Sequence, residues 1–298
     1  MSVEQSEKTP GLSADEEQEV SHNQPPRAAV LHETIRYQGD QELERTLAAL
    51  WWSAVAAGLS MGLSLMAMGL FYARLPEGES AQVVASIGYS AGFLAVILAR
   101  QQLFTENTLT AVLPVMTSPT LANFGRLLRL WGVVLLGNLA GTLLVAWVML
   151  ELPIFDSKTD MAFLEIGRKV MSNDISQMFA KGIVSGWMIA TMVWMIPSME
   201  NAKIWIILMI TYLMAIGDFT HIVVGSVEVS YLVWAGEETW RSFWLEFALP
   251  TLAGNIIGGS FIFALISHAQ VRSDSGKAPS RLLEHERAQR QRGKDDTK

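Results

Sequence analysis

Leu103-Phe104-Thr105-Glu106 is answered later in the chain by Asp218-Phe219-Thr220-His221, and Gly137-Asn138-Leu139-Ala140-Gly141 by Gly254-Asn255-Ile256-Ile257-Gly258. The first echo is displaced by 115 positions (103 to 218) and the second by 117 (137 to 254), so the two share one register. Each motif sits in an apolar stretch, and about three such stretches fit in each half of the chain. An odd number of bilayer crossings per repeat turns the second copy upside down. The sequence therefore predicts an inverted repeat, an architecture of channels and transporters in which the solute path lies between the halves.

Composition agrees with a membrane location. Of 298 residues, 50% are hydrophobic and 17% charged, too apolar for an ordinary soluble domain. Charge-free runs cover 46–73, 80–99, 130–150, 182–199 and 247–271, and roughly 20 apolar residues cross a bilayer core. The net charge of −7 is concentrated at the start, where residues 1–46 hold ten acidic and four basic side chains. Nothing in this pattern points to nucleic acid. The absence of cysteine excludes disulfides, thiolate metal sites and cysteine nucleophiles. The scattered methionines read as packing residues. The polar start lacks the basic-then-apolar pattern of a cleaved leader, so the first span directs insertion. Three segments follow: a disordered acidic tail over 1–34, a membrane domain over 35–270, and a polar Arg-rich tail over 271–298. Residues 31–46 are expected to form an amphipathic lead-in helix.

The expected fold is all-α, with six spans. Span 1 covers 47–73 and carries Ala54, Gly58 and Gly62 four apart, a stripe where another backbone approaches closely. Span 2 begins near Ser80 and is interrupted at Arg100-Gln101-Gln102. Span 3 covers 129–150 and span 4 covers 177–198, joined by a polar connection over 151–175. Span 5 begins at Ile204 and meets Asp218, His221 and Glu228. Span 6 covers 245–269. Irregular backbone survives at membrane depth only where protein or water satisfies it. Spans 2 and 5 are therefore expected to break into half-helices joined at 100–105 and 217–221. Fifteen Lys and Arg fall in the termini and the 2–3 and 4–5 loops against five in the others, which places both termini in the cytoplasm.

His221 is the leading chemical candidate, an ionisable side chain deep in a span; its structural alternative is to pin the broken helix. Thr105 and Thr220 match in the repeat and could orient a solute or cap a half-helix. Phe104 and Phe219 beside them suit a dry constriction or simple packing. Asn138 and Asn255 are expected to satisfy backbone groups freed at the breaks. Arg100 could attract an anion or pair with Asp218. Lys181, at the start of span 4, could contribute positive potential to an entrance. Glu228 lies seven residues after His221, on the same helical face. No metal cluster or paired catalytic carboxylate spacing is visible, so neither an enzyme nor a cofactor is expected.

The order and spacing of Phe104-Thr105, Phe219-Thr220-His221 and the paired Gly-Asn-x-x-Gly motifs resemble the formate/nitrite transporter family over residues 35–270. The resemblance implies an aquaporin-like fold in a bacterial inner membrane, a homopentamer with one pore per protomer, and passage of small monovalent weak-acid anions, with or without protons. It also implies that His221 and Thr105 lie between two constrictions, whose residues map to Tyr89, Phe93, Leu103, Phe104 and Met214. Tyr89, Arg100, Gly186 and Thr220 depart from the familiar residues, which marks a divergent branch. The rival readings are an aquaporin-like neutral-solute channel and a non-transporting membrane scaffold.

Overall fold

The computed structural model describes Ser13, residues 26–76 and residues 78–275. Most of the acidic tail expected to be disordered over 1–34 falls outside these residues, as does most of the Arg-rich tail, but the acidic tail's last seven residues, 28–34, are helical. Helix α1, Ala28–Glu44, begins seven residues before the boundary drawn at 35. It is tied to the rest at both ends. His32 Nε2 lies 3.0 Å from His268 Nδ1, and Arg129 donates to the Leu43 carbonyl at 2.6 Å, satisfying a carbonyl left over at the helix end.

The following helices are α2 (Leu47–Tyr72), α3 (Ser80–Leu98), α4 (Phe104–Thr110) and α5 (Val112–Thr117). Then come α6 (Leu121–Glu151), α7 (Ser157–Met171) and α8 (Ile175–Met195). The last are α9 (Lys203–Ile216), α10 (Ile222–Trp234) and α11 (Trp240–Ser273). Five of them, α2, α3, α6, α8 and α11, are long and apolar enough to cross a membrane. Their starts are written in polar side chains. Thr46 and Thr120 cap α2 and α6, Asp156 caps α7, and Asp174 with Gln177 forms a reciprocal capping box on α8. Helix α6 starts eight residues before the expected 129 because Thr120 caps it well ahead of its apolar run. Helix α11 carries π-helical stretches at Phe243–Ala248 and Ile257–Ala264. The first ends at Ala248, two residues before Pro250, whose ring and missing N–H disrupt the regular bonding of the turn before it.

Both Gly-Asn-x-x-Gly motifs pack helix backbones. A side chain on Gly141 would run into the Val55 carbonyl and Gly58 of α2, and one on Gly258 would strike the Ile183 carbonyl of α8. Glycine is needed there for close approach, and each packed pair brings an asparagine to mid-helix.

Candidate functional site

The chain leaves the helical path twice. Helix α3 ends in a turn with Arg100 at φ 53°, and α9 ends in a turn with Asp218 at φ 52°. Gln101 N donates to Val96 O at 2.9 Å and Phe219 N donates to Met214 O at 3.0 Å. Both are helix-ending turns closed by a residue in the left-handed region. Helices α4 and α10 then begin at Phe104 and Ile222.

Each restart is held by one asparagine. Asn138 Oδ1 accepts from Phe104 N at 2.9 Å, while its amide donates to the Ala54 and Gln102 carbonyls, both at 2.8 Å. Asn255 Oδ1 accepts from Ile222 N at 2.9 Å, and its amide donates to Gly182 O at 2.9 Å and Thr220 O at 3.2 Å. Ser185, which sequence reasoning passed over, donates to the same Thr220 carbonyl at 2.5 Å and accepts from Asn255 at 2.8 Å.

These bonds correct the register of the repeat. Phe104 corresponds to Ile222, and Leu103 to His221, an offset of 118 (104 to 222) rather than 115. Thr105 and Thr220 therefore do not match: Thr105 lies in the first turn of α4, whereas Thr220 precedes α10. The shared letters Phe-Thr misled because three residues are nearly one helical turn. Thr220 donates its hydroxyl to the Met178 carbonyl at 2.8 Å.

His221 is fully enclosed, and its Nε2 lies 2.7 Å from Thr105 Oγ1. Its Nδ1 accepts the Val224 N–H at 3.3 Å, capping α10. A backbone N–H can only donate, so the neutral ring carries its proton on Nε2 and donates it to Thr105. Among the described residues no acceptor takes the Thr105 hydroxyl proton, which stays available. The Phe93 ring meets the imidazole edge-on at 5.1 Å, and Tyr89 lies 5.4 Å from Phe93.

A cavity of about 390 Å³ leads from the surface near Arg168 and Gln82 to His221. Tyr89, Met214, Phe219, Thr220 and Glu228 line it; Phe93, Leu103, Phe104 and Thr105 do not, Thr105 being buried behind His221. Leu103 and Phe104 are buried behind the break, with Phe104 edge-on to Trp131 at 5.8 Å.

Two charge assignments change. Asp218 pairs with Lys169 of α7, not with Arg100; Arg100 is exposed on the outside of the chain. Lys181 does not line the cavity. Arg168 and Lys169 do, and sequence reasoning missed both because they sit in a polar connection with no motif. Arg168 donates to both oxygens of Glu237, and this bonding raises the guanidinium pKa above its ordinary value.

The fold and site define a multi-pass membrane protein with paired helix breaks, the second of which lines the inner end of a cavity. The formate/nitrite transporter profile matches residues 29–269, and the chain belongs to that family. It is 58% identical over 250 residues to inner membrane protein YfdC of Escherichia coli (strain K12), covering 84% of this chain and 81% of that one. Among solved structures, an FNT family ion channel superposes with a TM-score of 0.66 at 20% identity, covering 82% of this chain and 96% of the other. A pentameric formate channel with formate bound superposes with a TM-score of 0.61 at 18% identity, covering 74% and 95%. At these identities the two superpositions establish the fold alone.

Proposed function

We propose that this chain is a channel or transporter for small monovalent weak-acid anions, formate and nitrite among them. It works as a homopentamer with one path per protomer, in an inner membrane with both termini cytoplasmic. Helices α3 to α5 and α9 with α10 are then two interrupted spans, completing six crossings in two inverted halves. The observation that carries this reading is the Thr105–His221 bond, 2.7 Å long, made by the histidine that closes the inner end of the cavity.

The neutral imidazole fixes the Thr105 oxygen and leaves its O–H free to point at a passing solute. Helices α4 and α10 both begin at the breaks, so two positive helix ends converge there. A dehydrated anion still pays heavily in the apolar stretch beyond, whereas its neutral acid does not. Tyr89, Met214 and Phe219 fit the outer constriction and Leu103 and Phe104 the inner one. Lys169 supplies the entrance charge sought at Lys181.

Arg100 supports assembly. It is exposed at a break tied to the middle of α6, where lipid would strand its charge. A neighbouring protomer covering this turn takes the Arg100 charge out of lipid.

The test is uptake by proteoliposomes of formate, nitrite and glycerol at two pH values. Uptake of the weak acids driven by an inward proton gradient, with none of glycerol, supports the reading. Glycerol uptake alone selects the neutral-solute channel instead.

A further inference from the structure

The cavity holds a group that an anion path does not need. Glu228 lies on α10 two turns beyond His221, with its carboxyl group on the cavity wall although the residue is only 5% exposed. Among the described residues neither of its oxygens has a hydrogen-bond or ion-pair partner. Side chains on a helix lean towards its N-terminus, and Gly225, one turn before Glu228, makes room for the Phe247 ring of α11 beneath the carboxyl group. Glu228 Oε2 is 3.8 Å from where a Gly225 side chain would begin. The carboxyl group thus leans back along α10 towards the His221 end of the cavity, with the Phe247 ring packed on Gly225 beside it.

Its neighbours come from four elements. Tyr89 of α3, Lys169 of α7 and Asp218 of the second break lie within electrostatic reach. Glu165 and Arg168 of α7 and Tyr72 of α2 stand further out on the same wall, and His221 closes the inner end. Lys169 is engaged by Asp218 and Arg168 by Glu237, so neither cation is free for Glu228. Two lining cations, Arg168 and Lys169, face three lining carboxylates, Glu165, Asp218 and Glu228. The wall is net negative when Glu228 is ionised and balanced when it is protonated. An unpaired carboxylate at this depth is also costly to desolvate.

We infer that Glu228 is the proton carrier of the cavity: in its acid form it admits the anion and protonates it ahead of the constriction. The O–H bond of the Glu228 carboxylic acid breaks and a new O–H bond forms on the weak-acid anion. The product is a neutral acid that crosses the apolar segment and a Glu228 carboxylate that repels a second anion. Water at the open mouth then returns a proton to Glu228. His221 is a poor substitute, because its Nδ1 is occupied as the α10 cap and its Nε2–H is given to Thr105.

The inference rests on the transport reading, and two measurements keep the failures apart. In proteoliposomes at about pH 7, only about one in a thousand molecules of an acid with pKa near 4 is neutral. Wild type is expected to move formate there together with a proton. Glu228→Gln keeps the shape but cannot carry the proton. Its flux is expected to fall at least tenfold at about pH 7. Between about pH 5 and about pH 7 it should vary roughly a hundredfold, following the neutral acid in bulk. Glu228→Asp should restore part of the flux and the proton movement. Wild-type flux and proton movement in Glu228→Gln overturn the inference. A wild type that moves neither formate nor nitrite refutes the transport reading instead. Infrared difference spectra across the same pH range then decide Glu228 without transport. A carboxylic-acid carbonyl band present in wild type and missing in Glu228→Gln supports the assignment, and an identical band in both overturns it.

Discussion

Removing the two asparagines one at a time should destabilise the protein unequally, although they occupy matching positions. Asn138→Ala strands Phe104 N and the Gln102 carbonyl, neither of which has another hydrogen-bond partner among the described residues. Asn255→Ala strands Ile222 N, but Ser185 still donates to the Thr220 carbonyl at 2.5 Å. A buried polar group left unpaired costs about 1–3 kcal/mol. Asn138→Ala should therefore cost about 2–6 kcal/mol and Asn255→Ala about 1–3 kcal/mol. The truncated volume is the same in both, so the difference isolates the hydrogen bonds. At roughly 2–4 °C per kcal/mol for a domain of this size, thermal unfolding in detergent should separate the variants by several degrees. Adding Ser185→Ala to Asn255→Ala should bring that protein down to the Asn138→Ala level, with a non-additive contribution of about 1 kcal/mol or more. Equal unfolding temperatures for the single variants, or strict additivity with Ser185→Ala, would refute the reasoning.

Thr105→Val keeps the shape but removes both the acceptor for His221 and the free O–H; flux of formate should fall about ten- to hundredfold, while Thr105→Ser retains most of it, as initial uptake rates would reveal. Lys169→Met leaves Asp218 without its cation and should lower anion uptake at low salt about tenfold, a loss that shrinks as ionic strength rises; an effect insensitive to salt would remove Lys169 from the electrostatics. Arg100→Ala should weaken the assembly, read as a shift from pentamer towards smaller species by light scattering in detergent. The Asp156 and Asp174 carboxyls are held below their ordinary pKa, chiefly by hydrogen bonds from the Thr159 and Gln177 backbone N–H groups. A depressed carboxyl stabilises above its unfolded pKa and loses this as pH falls through the folded value. Amide protection at the starts of α7 and α8, taken relative to the intrinsic exchange rate at each pH, should accordingly fall below about pH 4 and stay constant above it.

The helices and their breaks were legible because a bilayer penalises charge and unsatisfied backbone severely. Long charge-free runs at 46–73 and 247–271 have few other uses, and polar residues inside a span announce an interruption. The asparagines were legible for the same reason, since an amide flanked by glycines at mid-span has to serve some backbone group. Partner choice was not legible. Asp218 could reach a cation from either half, and only packing of α7 against α10 gives it Lys169 instead of Arg100. The letters Phe-Thr suggested an equivalence that the hydrogen bonds move by three residues, because helical periodicity hides a shift of nearly one turn. Local sequence thus determined where the chain is helical and where it stops. The tertiary fold alone decided that His221 and Thr105, far apart in the chain, meet at 2.7 Å, and that Glu228 turns into the same cavity. Hydropathy acts on each segment by itself, whereas a hydrogen bond or a shared cavity exists only once two segments are held together.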